Sequence, residues 1–158
     1  MKKSNRKGFT LVELVVVIAI IGILAAILVP TLMNYVKKSR LKSANSNAKL
    51  IYTTANNQAA DMVADGSETA AFVFSGKPAA VTGTNFESVV KNAVYEALKG
   101  NGNGIGQCYY SVLADGDIDF AQWQSATGTK QITGQYPNPP KTVAAAEGMT
   151  FGTKAANS

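Results

Sequence analysis

The chain has 158 residues, a single cysteine, no histidine and a formal net charge of +5. One cysteine excludes an internal disulfide, and the lack of histidine removes the commonest general base and metal ligand; with no paired-carboxylate or serine–base motif either, the composition points away from an enzyme. Lys2, Lys3, Arg6 and Lys7 carry most of the imbalance, since without them 11 basic residues face 10 acidic ones, and the remaining charge of +1 gives nucleic-acid binding no support.

Those four cations precede a Gly8-Phe9 junction, and Phe9 to Val36 then supplies 28 positions with Glu13 as the only ionisable group. A hydrocarbon core about 30 Å thick needs roughly 20 apolar residues in a helix, so this run spans a membrane. A secretory signal peptide is the competing reading. The apolar run exceeds the roughly 7 to 15 residues usual for that element, and no A-x-A site closes it. A plain single-span anchor fits the apolarity and leaves the placement of Glu13 without a purpose. Charge does not orient the segment, because Lys37, Lys38, Arg40 and Lys42 balance the leader's four cations.

The residues Lys7, Gly8, Phe9, Thr10, Leu11 and Glu13 closely resemble the start of the type IV pilin and pseudopilin family, whose leader ends in a basic residue and Gly before Phe-Thr-Leu-x-Glu. The resemblance implies a leader over residues 1–8, cleavage between Gly8 and Phe9 by a prepilin peptidase on the cytoplasmic side, and N-methylation of Phe9. It orients the leader inward and the body outward. It also implies that Glu13 pairs with the terminal amine of Phe9 in a neighbouring subunit. Physics is consistent with that role, since cleavage creates an α-amino group about 6 Å from Glu13 along the axis. Pairing within its own chain is the alternative.

Gly22 and Pro30 match positions where helices of this family loosen on entering a filament. Gly costs about 1 kcal/mol relative to Ala in a helix interior, and Pro about 3 kcal/mol. The same residues also fit a simple kink in a membrane helix.

Residues 9–36 thus form the transmembrane, filament-core half of a helix, and residues 37–64 its extramembrane half. Leu41, Ala44, Ala48, Ile51, Ala55, Ala59 and Met62 recur every three or four residues as one apolar stripe. Lys37, Lys38, Arg40 and Lys42 fall at the outer interface, where they can reach lipid phosphates or stand as a solvated collar. Asp65-Gly66-Ser67 ends the helix.

The remaining residues, 65–158, read as a globular α+β head. Residues 70–83 form a small-residue linker holding at most one short strand, Phe72 to Phe74. Asn85 caps a helix over about 85–99, whose apolar face is Phe86, Val89, Val90, Ala93, Val94, Ala97 and Leu98. Residues 101–104 read as a flexible turn. A hairpin over about 107–124 turns at Asp115-Gly116, and a third strand over about 129–134 completes a small antiparallel sheet. The Pro-rich stretch after Tyr136 stops the strand, and the Ala- and Gly-rich tail reads as flexible.

Cys108 reads as a buried core residue, and the missing disulfide departs from Gram-negative pilins, in which a C-terminal disulfide loop is common. Asp115, Asp117 and Asp119 alternate like the start of a calcium loop. The sixth and twelfth positions, Phe120 and Ala126, break that pattern, so no cofactor or metal is expected.

The expectation is therefore a pilin fold: α+β, with a long N-terminal membrane-spanning helix packed on a small antiparallel sheet. The implied function is that of a major-type structural subunit polymerising through this helix into a type IV pilus or related filament. A pseudopilin of a secretion or competence system, and a non-polymerising single-span protein, are the alternatives. Implied partners are identical subunits, the prepilin peptidase and methylase, an assembly ATPase with its membrane platform, and lipid before assembly. The expected location is the inner or single cytoplasmic membrane first and an extracellular surface filament afterwards.

Overall fold

The structure, a computed structural model, describes residues 8–101, 104–125 and 131–156. The leader cations, part of the turn over 101–104 and residues 126–130, which include the start of the expected third strand, lie outside the described residues. The chain divides into two compact units, one ending at Lys37 and one beginning at Lys38.

The first unit contributes the start of α1, which runs from Leu11 to Ala64 with Pro30 inside it. Proline has no N–H to offer the carbonyl of Ala26, four residues back. The helix nevertheless stays α-helical through Gly22 and Pro30. Just beyond, the Thr31 hydroxyl donates to the carbonyl of Leu28 at 2.8 Å. From Phe9 to Val36 the large apolar side chains are exposed, Phe9 at 87% and Ile23 at 66%.

The second unit holds the core. Leu41, Ala44, Ala48, Ile51, Ala55 and Ala59 are buried on one side of α1, as the three-and-four spacing predicts. The helix ends because Gly66 adopts φ +76°, a left-handed conformation open to glycine. There Ser67 N–H reaches the Met62 carbonyl and Gly66 N–H the Val63 carbonyl, each at 3.0 Å, the paired bonds of a Schellman cap.

A four-stranded antiparallel meander follows, ordered β1 (Phe72–Gly76), β2 (Gln107–Val112), β3 (Ile118–Gln124) and β4 (Thr133–Tyr136). The sequence suggests three strands and a linker that can hold one short strand, Phe72 to Phe74. That strand is present and runs on to Gly76 as the sheet's edge, and both rings pack on the sheet's inner face: Phe74 stacks on Tyr110 with centroids 5.3 Å apart, and Phe72 meets Phe86 edge-on at 6.1 Å. The last strand lies later than the expected 129–134, since Gly134 pairs with Trp123 and Tyr136 with Ala121.

Between β1 and β2, α2 (Phe86–Lys99) buries Phe86, Val90, Val94 and Leu98, and its Asn85 cap accepts from Ser88 N–H at 3.0 Å. At the β2–β3 turn Gly116 has φ +92°, and the Leu113 N–H reaches the Asp117 carbonyl at 2.8 Å. Cys108, Tyr110, Val112, Ala121 and Trp123 join both helices in one apolar cluster.

The tail departs most from expectation. Short helix α3 (Val143–Glu147) is capped by Thr142, and residues 151–155 lie over the sheet's other face. Phe151 meets Tyr109 edge-on at 6.2 Å. The buried Gln122 donates to the Thr153 carbonyl at 2.7 Å and accepts from Gly152 N–H at 2.7 Å. Gln135, also buried, accepts from Ala155 N–H at 2.9 Å and donates to the Ala155 carbonyl at 3.2 Å. Gln122 donates to Gln135 at 3.0 Å as well, and the two are register partners across β3 and β4. An alanine- and glycine-rich segment reads as loose because it lacks side chains to anchor it. Here the anchors belong to the sheet.

Candidate functional site

The residues singled out at the N-terminus form a compact polar constellation at the start of α1. Thr10 precedes the first helical residue and Glu13 sits in the first turn. The Glu13 carboxylate accepts from the Thr10 N–H at 2.9 Å and from the Thr10 hydroxyl at 2.8 Å, while Glu13 N–H donates back to the Thr10 hydroxyl oxygen at 3.3 Å. This is a capping box: the side chains at the cap and three residues later satisfy each other's backbone donors, which a new helix leaves without partners.

Within one chain Glu13 is the returning arm of this capping box. Its carboxylate is held by two donors from Thr10, and the acid is solvent-facing, as are Gly8 and Phe9. A carboxylate has about four lone-pair sites, so one oxygen engaged by Thr10 leaves the other free for a cation from elsewhere. The sequence reading missed Thr10 as a partner, although Thr-x-x-Glu is a legible signature of the motif.

Gly22 and Pro30 both lie within α1, away from this constellation. A Cβ built on Gly22 meets nothing within 4 Å, so the position is a bare patch on an exposed helix face.

The three aspartates are not brought together as a site. Asp115 accepts from the Asp117 N–H at 3.1 Å inside the turn, and Asp119 pairs with Lys154 of the tail. Among the described residues no group of three His, Cys, Asp or Glu side chains stands close enough to hold a metal ion. The Cys108 thiol is fully buried, and that burial pushes its pKa up, which opposes thiolate chemistry.

A family model described as the prokaryotic N-terminal methylation motif matches residues 3–29. The chain is 46% identical over 70 residues to a fimbrial protein of Moraxella nonliquefaciens, covering 43% of this chain and 46% of that one. It is 49% identical over 49 residues to the type IV major pilin protein PilA of Myxococcus xanthus, 31% of this chain and 22% of the relative. Against the type IV major fimbrial protein FimA of Dichelobacter nodosus the identity is 54% over 44 residues, 28% of each. The chain thus spans less than half the length of these relatives in each alignment. No solved structure matches it.

Proposed function

We propose that this chain is a type IV pilin, a structural subunit that is stored in a membrane through the first part of α1 and polymerises with its own copies into a surface filament; the methylation-motif match and the similarity to pilins and fimbrial proteins over its N-terminal part support this reading. The observation that carries this reading is the pairing of one carboxylate, Glu13, with a helix segment whose large apolar side chains are left exposed from Phe9 to Val36. Lipid covers such a surface before assembly. Once the segment leaves lipid, only another apolar surface can cover it, and burial recovers about 25 cal/mol per Å². Identical subunits supply that surface in unlimited number.

In this reading a prepilin peptidase cuts between Gly8 and Phe9, and Phe9 is then N-methylated. The new amine of one subunit approaches the Glu13 carboxylate oxygen that Thr10 leaves open in another. Removing one partner of a buried ion pair costs about 3 to 5 kcal/mol, because the other charge is left unpaired. An assembly ATPase and its membrane platform supply the work of extraction. The names of the relatives from Myxococcus xanthus and Dichelobacter nodosus carry the word "major", which supports a principal subunit over a short secretion or competence filament.

The test is Glu13→Ala expressed in place of the native chain. Sheared surface material should lose its fibres while the membrane fraction keeps the subunit. Fibres at the native level would overturn the pairing mechanism, and mass spectrometry of the mature N-terminus checks the cut at Phe9 separately.

A further inference from the structure

The apolar part of α1 is longer than the bilayer it would cross. From Phe9 to Val36 there are 28 residues, or roughly 42 Å at about 1.5 Å each. A core about 30 Å thick, crossed at a tilt of about 20°, takes about 21 residues. About seven residues are left over, and they project from one side or the other.

Charge on the body side decides which. Lys37, Lys38, Arg40 and Lys42 fall within six residues directly after Val36, an axial reach of about 9 Å. The head-group layer of each leaflet is about 5 to 8 Å thick, close to that reach. At about 100° per residue, Arg40 stands on the opposite side of the helix from Lys38 and Lys42, so the cations encircle the axis. Lys38, Arg40 and Lys42 are exposed, and among the described residues none of the three lies in a salt bridge. No acidic residue occurs between Glu13 and Asp61. Lys38, Arg40 and Lys42 therefore have no acidic neighbour along the helix.

We propose that Lys38, Arg40 and Lys42 bind the phosphates of anionic lipid head groups and so set the depth of α1. This rests on the reading of α1 as a membrane-stored helix. With the collar seated in the body-side head groups, the hydrocarbon crossing runs from about residue 16 to Val36. Glu13 then emerges in the opposite head-group layer and Phe9 just beyond it, about 10 Å past the hydrocarbon edge, so that the Thr10–Glu13 capping box meets lipid phosphate and water. The carboxylate is consequently not stranded in hydrocarbon before assembly, and subunits meet with their charged ends at one common level.

The test uses the full chain carrying Cys108→Ser and a single spin-labelled cysteine in place of Val16 or Val36, reconstituted in vesicles of phosphatidylcholine alone or mixed with phosphatidylglycerol. In the mixed vesicles the label at 16 should read at the hydrocarbon edge. The variant Lys38→Gln/Arg40→Gln/Lys42→Gln should slide by about one helical turn, 5 Å, and Lys38→Arg/Lys42→Arg should hold the original depth. Each cation near an anionic surface is a factor of about five in occupancy, so phosphatidylglycerol should slow transfer of the chain to acceptor vesicles by about tenfold or more, an effect the Gln variant loses. Inorganic phosphate added to phosphatidylcholine vesicles should not reproduce it. Equal depth in both lipids, or in the Gln variant and the parent, overturns the collar while leaving membrane storage intact. A chain that fails to float with either vesicle overturns the membrane reading itself.

Discussion

Gly134 lies against the backbone of Ala44. A Cβ built on this glycine would stand 2.1 Å from both the carbonyl carbon and oxygen of Ala44 and 2.5 Å from the nitrogen of Asn45. This is where β4 presses on α1, and the obstructing atoms are main chain. Gly134→Ala should therefore lower stability by about 1 to 3 kcal/mol, read as a fall of several degrees in thermal unfolding. Truncating the helix side chain with Ala44→Gly should not restore it. Full rescue by that second change would show that the contact is governed by side chains.

Thr10→Ala removes the hydroxyl that both donates to and accepts from Glu13. Loss of such a cap costs about 1 kcal/mol. Amide exchange over the first turn of α1 should accelerate about fivefold, whereas Thr10→Ser should keep near-native protection. Unchanged exchange in the alanine variant would mean the capping box contributes nothing in the membrane-mimetic used.

Gln122 and Gln135 hold the tail by side-chain amides that have no water to fall back on. Gln135→Leu leaves the part-buried Ala155 N–H and one of the two Gln122 amide hydrogens without an acceptor, the other staying on the Thr153 carbonyl, and a buried orphan costs about 1 to 3 kcal/mol. Trypsin should then cut at Lys154, which is tied to Asp119 in the native fold, well before the rest of the body. The double variant Gln122→Leu/Gln135→Leu should be less damaging than the two single losses added together, because the residues are partners. Additive losses would argue against a shared network.

Cys108 should resist thiol reagents in the folded chain and react on unfolding, since burial pushes its pKa up. Tyr110, buried in the same cluster, is shifted upward by burial first and by Cys108 and Glu87 after it. Both shifts favour the neutral form in the folded state. Their contribution to stability is thus complete below the unfolded values of about 8.5 for the thiol and 10 for the phenol, and it drains away as pH rises beyond them. Denaturant midpoints measured from pH 7 to 11 should fall on the alkaline side, and Cys108→Ala should flatten the earlier part of the fall.

The α1 stripe, the Asn85 cap and the Asp115-Gly116 turn were legible because each is local: a period, a side chain three residues from its donor, a residue tolerant of positive φ. Glu13 was legible for a similar reason, as a lone acid in an apolar run. Other features depend on partners far along the chain. Phe72 and Phe74 read as a short strand within a linker, and its place at the edge of a four-stranded sheet shows only once Tyr110 and Phe86 stand beside them. Gly134 shows its need for smallness only through Ala44, 90 residues earlier in the chain. Gln122 and Gln135 are ordinary polar strand residues until the tail closes over them, and no pattern within either strand announces that. Tail order was misread because small residues carry little information about what grips them.

The grip on the tail uses glutamine amides, the Lys154–Asp119 ion pair and the Phe151–Tyr109 ring contact, and the one thiol lies in the apolar cluster with no mate. Disulfide formation accordingly plays no part within this body, which needs no thiol oxidase, disulfide isomerase or oxidising compartment. The same final structure should form in a strongly reducing medium and in an oxidising one, and a dithiol reductant should leave this body unmoved.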